Sequence, residues 1–185
     1  IAVVQASSAE IFGSAAESPQ NESTPIAPVS PYGAAKALGH FLVRAFRSRG
    51  LRASSAILYN HESPLRPETF VTRKITMSAA RIARGRQQTL SLGSLDVERD
   101  WGWAPDYVDA LHRMTRQPTG GDFVIGTGEA HSVRDFVRMA FAAAGIDDWR
   151  AHVEIDPAFV RAADPAMQLA DASKAARELG WRPTC

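Results

Sequence analysis

Cysteine is almost missing from this chain of 185 residues: it occurs once, as the terminal Cys185. That excludes a disulfide framework and any cysteine-based metal site within the chain; no metal ligand set is expected, and a reducing, cytoplasmic setting is. An excess of charge is missing too. Lys and Arg number 21 against 20 Asp and Glu, and the net charge of +1 gives no attraction toward nucleic acid or acidic membranes. No apolar run approaches the ~18 residues of a membrane span, so no membrane partner is expected. Lysine is scarce, since of the 21 cations only Lys36, Lys74 and Lys174 are lysines. Coding bias accounts for such a ratio, but where Arg is the default cation a Lys can also mark a place that wants a compact ammonium on a flexible stem. What remains is ordinary: 45% hydrophobic and 22% charged residues exclude disorder and suffice to bury a core.

The pattern alternates strands and helices without repeats or low-complexity segments. Residues 1–6 read as a buried strand, followed by a polar loop to residue 29. Ser30 as N-cap and Pro31 at the first helical position start a helix that ends near Ser48, before Gly50. A buried strand is expected over 53–59, a loop over 60–69, a helix over 70–84 closed by Gly85, and a short strand over 89–92. Residues 100–105 read as an irregular tryptophan-bearing turn. Further helices are expected over 106–116, 132–144 and 171–179, with a strand at 123–125. Ser132 with Asp135 caps the second of these helices, and Gly180 closes the third. Such alternation implies an α/β fold with a largely parallel sheet. A first residue inside a buried-strand pattern, with no Met before it, leads to the expectation that an upstream part is missing.

Two groups of residues could carry chemistry. Tyr32 and Lys36 lie at i and i+4 in the first turns of one helix, so both side chains project from one face. A tyrosine of ordinary pKa near ~10 is a poor base, but an adjacent ammonium and the positive end of a helix both favour phenolate. Such a pair is also common by chance. The second group is Ser8 and Glu10, which follow the first strand at what would be its carboxyl end, where ligands bind in open α/β sheets. The bland alternative makes Ser7 or Ser8 a turn former and Glu10 a solvated charge. Gly126-Thr127-Gly128 imitates a dinucleotide loop, but His131 stands where a third glycine belongs, so it reads as a strand-to-helix turn. His40, His112 and His152 have no ligand spacing and read as surface or helix-packing residues, and Trp101, Trp103 and Trp149 as packing groups.

Ser8, then Tyr-x-x-x-Lys 24 residues on, resembles the extended short-chain dehydrogenase/reductases that act on nucleotide sugars. The string Asn60-His61-Glu62-Ser63-Pro64-Leu65-Arg66-Pro67-Glu68-Thr69-Phe70-Val71-Thr72-Arg73-Lys74-Ile75 is more specific and resembles the GDP-mannose 4,6-dehydratases. Arg99-Asp100-Trp101-Gly102, Asp106-Tyr107-Val108 and the stretch from Arg161 to Asp164 follow in that family's order, so the resemblance spans nearly the whole chain. It implies a catalytic group of Ser8, Glu10, Tyr32 and Lys36. It also implies NADP as cofactor, with Tyr32, Lys36, His61 and Arg66 at cofactor-contacting positions. A GDP-sugar substrate would be held by Asn60, Lys74, Arg99, Arg161 and Asp164. Departures from the family pattern include Ser8 for Thr, Ala9 for Ser, Leu65 and Pro67 for Arg and Gly, Trp103 for His, and Asp164 for Glu.

The implied fold is the distal part of a Rossmann-type parallel sheet with a smaller α/β substrate-binding region. Residues 1–60 would form the distal half of the NADP-binding domain without its Gly-rich half. Residues 61–185 would be mostly sugar-binding, with elements at about 105–128 returning to the first domain. The family places four βα units before this strand, so at ~30 residues per unit about 120 residues would be missing, and the fragment alone is expected to be inactive. The implied reaction dehydrates GDP-mannose to GDP-4-keto-6-deoxy-mannose by internal hydride transfer. Tyr32 acts on the C4 hydroxyl, Ser8 holds the developing carbonyl oxygen, and Glu10 takes the C5 proton. A homo-oligomer, dimer or tetramer, is implied for the full protein. An epimerase or 4-keto-sugar reductase of the same superfamily, or a non-catalytic chain, remains the alternative.

Overall fold

The computed structural model describes residues 1–160 and 165–185. In chain order the first elements are β1 (Ala2–Ala6), α1 (Pro31–Arg47), β2 (Arg52–Leu58), β3 (Asn60–Glu62), α2 (Val71–Ala83) and β4 (Leu90–Leu92). They are followed by β5 (Glu98–Trp103), α3 (Ala104–Arg116), β6 (Asp122–Ile125), β7 (Ala130–Ser132) and α4 (Val133–Ala143). Last come β8 (Val153–Ile155), β9 (Met167–Gln168) and α5 (Ser173–Leu179), with short 3-10 turns at Ala9–Phe12, Trp149–His152 and Pro157–Phe159. Two compact units emerge: Ile1–His61 with Arg99–Ala130 and Pro165–Cys185, and Glu62–Glu98 with His131–Asp164.

The first unit is built on a parallel sheet in the order β1-β2-β6, with Ala2 opposite Arg52 and Ser55 opposite Asp122. Side chains of its strands alternate between two cores, as the period-2 geometry of a strand requires. Ala56, Leu58, Phe123 and Ile125 join Tyr107, Ala110 and Met114 of α3 and Leu179 of α5 on one face. Ile57 and Val124 join Ala37 of α1 and Ile11 and Phe12 of the first 3-10 turn on the other. The result is a helix–sheet–helix sandwich, and covering both faces explains why β2 is almost wholly buried. At the outer edge of β6 the Val124 N–H donates to Glu22 Oε1 at 2.7 Å, so a side chain from the long loop takes the place of a further strand. Burial pushes the Glu22 carboxyl above its ordinary pKa.

In α1 the helix start follows its sequence signals. Ser30 Oγ accepts from Gly33 N at 3.0 Å and Pro31 occupies the first turn. Polar groups also fasten α1 to the sheet. Ser55 Oγ donates to Gln5 Oε1 at 3.0 Å, so His40 Nδ1, 3.0 Å from the same hydroxyl, carries the hydrogen of that contact. His40 is therefore a buried helix-packing residue. The opposite face of α1 leaves Leu38, Phe41, Leu42 and Phe46 about half exposed.

In the second unit α2 and α4 pack together around Ile75, Ala79, Val137 and Phe141. β4 pairs in parallel with β8 through Leu90 opposite Val153. Ser132 Oγ accepts from Asp135 N at 3.0 Å and caps α4 as its sequence indicates.

Two expectations are corrected. Residues 100–105 are not an irregular turn: β5 runs to Trp103, and Pro105 sits in the first turn of α3 instead of breaking the chain. The start of the presumed loop over 60–69 is strand β3. β5 carries Asp100, which at 1% exposure serves as an internal anchor. Its carboxylate accepts from Thr127 N (2.8 Å), Thr127 Oγ1 (2.7 Å), Gly128 N (2.9 Å) and Ala170 N (3.2 Å).

Replacing Asp100 by Ala leaves the buried Ala170 N–H and two partly buried N–H groups, of Thr127 and Gly128, without their acceptor and should cost about 2 kcal/mol of unfolding free energy, read by urea denaturation. His40 supplies a pH test. Burial holds its pKa below the ordinary value, with Arg44 and Arg47 acting in the same sense and Asp122 opposing. Because the unfolded chain takes up that proton first, the contribution is complete above about pH 6.5 and is lost as pH falls below it. A His40→Gln variant should show a shallower loss of stability over that window.

Candidate active site

At the carboxyl end of β1 the chain turns sharply into the 3-10 segment Ala9–Phe12. Ser8 caps this segment, its Oγ accepting from Glu10 N at 3.2 Å. Glu10 is partly buried, and its Oε1 receives Gln168 Nε2 at 3.4 Å. Ser7 is buried beside them, and its hydroxyl has no hydrogen-bond partner among the described residues.

The helix α1 begins against this turn. A Cβ added at Gly33 would stand 2.6 Å from the Glu10 carbonyl oxygen, and one at Gly39 would stand 2.3 Å from Gln5 Nε2. Only a missing side chain lets the helix lie this close to the strand end. Tyr32 precedes the first of these glycines and is 56% exposed, its ring 5.5 Å from Lys36 Nζ. Lys36 reaches back to donate to the Ala6 carbonyl at 2.9 Å. Ser8, Glu10, Tyr32 and Lys36 are thus gathered where β1 ends and α1 starts. A hydroxyl, a carboxylate, an exposed phenol and an ammonium in one place can move protons at a bound alcohol and at the carbon beside it. Tyr59, by contrast, is a buried phenol that donates to Gln20 Oε1 at 2.7 Å, and burial pushes its pKa up.

The other candidates fall into separate surroundings. His61 Nδ1 donates to the Tyr59 carbonyl at 2.8 Å, and its ring stacks on Tyr107 with centroids 4.8 Å apart. Tyr107 donates to the Asn60 carbonyl at 3.3 Å. Arg99 is buried, and its Nη1 donates to the Pro165 carbonyl at 2.8 Å. All three candidates lie in the first unit. Arg66 and Lys74 belong to the second. Arg66 pairs with Glu62 at 3.3 Å and lies 3.5 Å from the centroid of Phe70. Lys74 Nζ donates to the Ser91 carbonyl at 2.6 Å beneath the ring of Phe159, and burial lowers its pKa. Arg161 and Asp164 lie outside the described residues.

The turn Gly126-Thr127-Gly128 has amide groups aimed at an anion, but the anion is Asp100 of the same chain. A Cβ at Gly126 would meet Asp100 Oδ2 at 2.9 Å, so the glycine serves this internal contact. Sequence reasoning missed Asp100, Gly33 and Gln168. The one available signal for Gln168 was a lone amide in the run Met167-Gln168-Leu169-Ala170.

The profile of the GDP-mannose 4,6 dehydratase family matches residues 1–185. The chain is 46% identical to a GDP-mannose 4,6-dehydratase of Sinorhizobium fredii (strain HH103), over 96% of this chain and 56% of that protein. It is also 46% identical to GDP-mannose 4,6 dehydratase 1 of Arabidopsis thaliana, over 97% of this chain and 49% of that one. The chain thus spans about half the length of the curated relatives it matches. Among solved structures, RMD from Pseudomonas aeruginosa complexed with NADPH superposes with a TM-score of 0.88 at 23% identity, covering 97% of this chain and 60% of that one.

Gly33→Ala should force α1 away from the Glu10 carbonyl and lower stability by about 1–3 kcal/mol, read as a fall in the urea midpoint at constant slope.

Proposed function

The chain belongs to the GDP-mannose 4,6-dehydratase family, and from that premise we propose that it supplies the catalytic end of a hydro-lyase converting GDP-mannose to GDP-4-keto-6-deoxy-mannose. The observation that carries this reading is the gathering of Ser8, Glu10, Tyr32 and Lys36 at one strand end, held there by the contact of Gly33 with the Glu10 carbonyl.

The C5 hydrogen of a hexose is not acidic until C4 is a ketone, because only then does the carbanion become an enolate. Tyr32 takes the C4 hydroxyl proton, with Lys36 Nζ 5.5 Å from its ring. Ser8 donates a hydrogen bond to the C4 oxygen as it becomes a carbonyl. Glu10 then takes the C5 proton. The C5–H electron pair becomes the C5–C6 double bond, the C6–O bond breaks, and the departing hydroxyl takes a proton from Glu10 to leave as water.

A nicotinamide cofactor fits the donor set. Lys36 uses one N–H on Ala6 and has two more to offer a ribose diol, and the orphaned Ser7 hydroxyl stands at the same strand end. When bound, such a group would supply the hydride acceptor for C4 and the hydride donor for C6; the proton that Tyr32 took from the C4 hydroxyl balances the one that C5 regains as the double bond is lost. The reading names NADP, with His61 and Arg66 at further cofactor positions, and assigns Asn60, Lys74, Arg99, Arg161 and Asp164 to the GDP-sugar on the family resemblance. The half-exposed apolar residues of α1 support a homo-oligomer, and the scarcity of cysteine supports a cytoplasmic setting.

The test is incubation of the protein, as encoded in its genome, with GDP-mannose and NADP. A 4-keto-6-deoxy product supports the reading. Turnover of a keto sugar without loss of water would favour a reductase, and failure to bind NADP would favour a non-catalytic chain. Glu10→Gln should lower dehydration by about 100-fold or more, and Tyr32→Phe should block the first oxidation to a similar extent, both measured by product formation.

A further inference from the structure

The Glu10 carboxylate has a partner that arrives from far along the chain. Gln168 stands in β9 at 5% exposure, and its Nε2 donates to Glu10 Oε1 across 158 positions. A carboxamide at that depth is costly unless it is hydrogen-bonded. The backbone just beyond it is held firmly. Gln20 N donates to the Leu169 carbonyl at 2.8 Å, and Leu169 N donates to Gln20 Oε1 at 3.2 Å. Asp171 N donates to the Gln20 carbonyl at 2.8 Å, and Ala170 N donates to Asp100 at 3.2 Å. Gln20 is itself buried and fixed by the Tyr59 hydroxyl. The amide of Gln168 is thus presented from a rigid segment to a carboxylate on a short capped turn.

We propose that Gln168 is a positioning residue for the elimination step: by donating to Oε1 of Glu10 it fixes the carboxylate so that Oε2 faces the C5 hydrogen of the sugar. The inference rests on the dehydratase reading above, in which Glu10 takes that proton. A glutamate has three side-chain torsions, and a base that swings among them meets the C5 hydrogen only part of the time. Misplacement of a reacting group by about 1 Å can cost about 100-fold in rate. One hydrogen bond from a fixed donor removes much of that freedom while leaving the second oxygen to react. Among the described residues Gln168 hydrogen-bonds through its side chain to Glu10 and not to Tyr32, Lys36 or Ser8, so the effect falls on proton removal at C5 and not on oxidation at C4.

This selectivity separates positioning from mere structure. In Gln168→Met, which keeps length and apolar packing but removes the donor, kcat for GDP-mannose should fall about tenfold with KM nearly unchanged. During turnover the near-ultraviolet absorbance of reduced nicotinamide should build up, because oxidation outruns elimination. Gln168→His, whose Nε2 donates from a similar reach, should retain most of kcat and show no such build-up. A Gln168→Met enzyme with wild-type kcat overturns the inference. So does one that is slowed without build-up of the reduced cofactor. If Gln168→Met does not fold, loss of activity in a folded Gln168→His enzyme without build-up overturns it equally. A wild-type protein that forms no 4-keto sugar overturns the dehydratase reading itself, an outcome distinct from the others.

Discussion

The approach of α1 to the end of β1 is the contact on which the candidate site depends. A helix laid on a parallel sheet ordinarily keeps a side-chain layer between its backbone and the strand. Here Gly33 and Gly39 remove that layer at two points, and the Glu10 carbonyl and the Gln5 amide move into the space. Because Tyr32 and Lys36 are one turn apart on the same helix, setting the helix sets both side chains. Lys36 then spans the gap to the Ala6 carbonyl and ties the helix to the strand a third time. The buried contact of His40 with Ser55 repeats the fastening one turn further along.

A second constraint runs through the segment 168–171. It lies against the loop around Gln20 and against Asp100, and through Gln168 it touches the Glu10 carboxylate. Asp100 organises three separated stretches: β5, on which it stands, the turn at Thr127 and Gly128, and the chain at Ala170. One buried carboxylate that accepts from four donors is a strong local restraint, most of all for the buried Ala170 N–H, which would be costly to leave unpaired. It also explains why a turn with the look of a phosphate loop has no vacancy for one.

How much of this was legible in the sequence depended on how local the cause was. The start of α1 was readable because Ser30 and Pro31 act on the backbone within one turn, and the facing of Tyr32 and Lys36 follows from helix geometry alone. The α/β alternation was readable for the same reason. β3, β7 and β9 are two or three residues long, too short for a period to register, and they exist through pairing with distant strands. The stretch at Asp100 looked irregular because its aspartate, glycine and proline are poor strand formers. Its structure comes from hydrogen bonds to residues 27 and 70 positions away. The contact of Gln168 with Glu10 belongs to the same class, and no window of sequence contains it.

Glu22, at the far side of the first unit, has a consequence for assembly. By accepting the Val124 N–H it occupies the outer ladder position of β6 with a side chain that cannot be extended. A strand added beside β6 would first have to displace that carboxylate from the Val124 N–H. The margin is therefore guarded by a side chain, which protects it against unwanted edge-to-edge pairing.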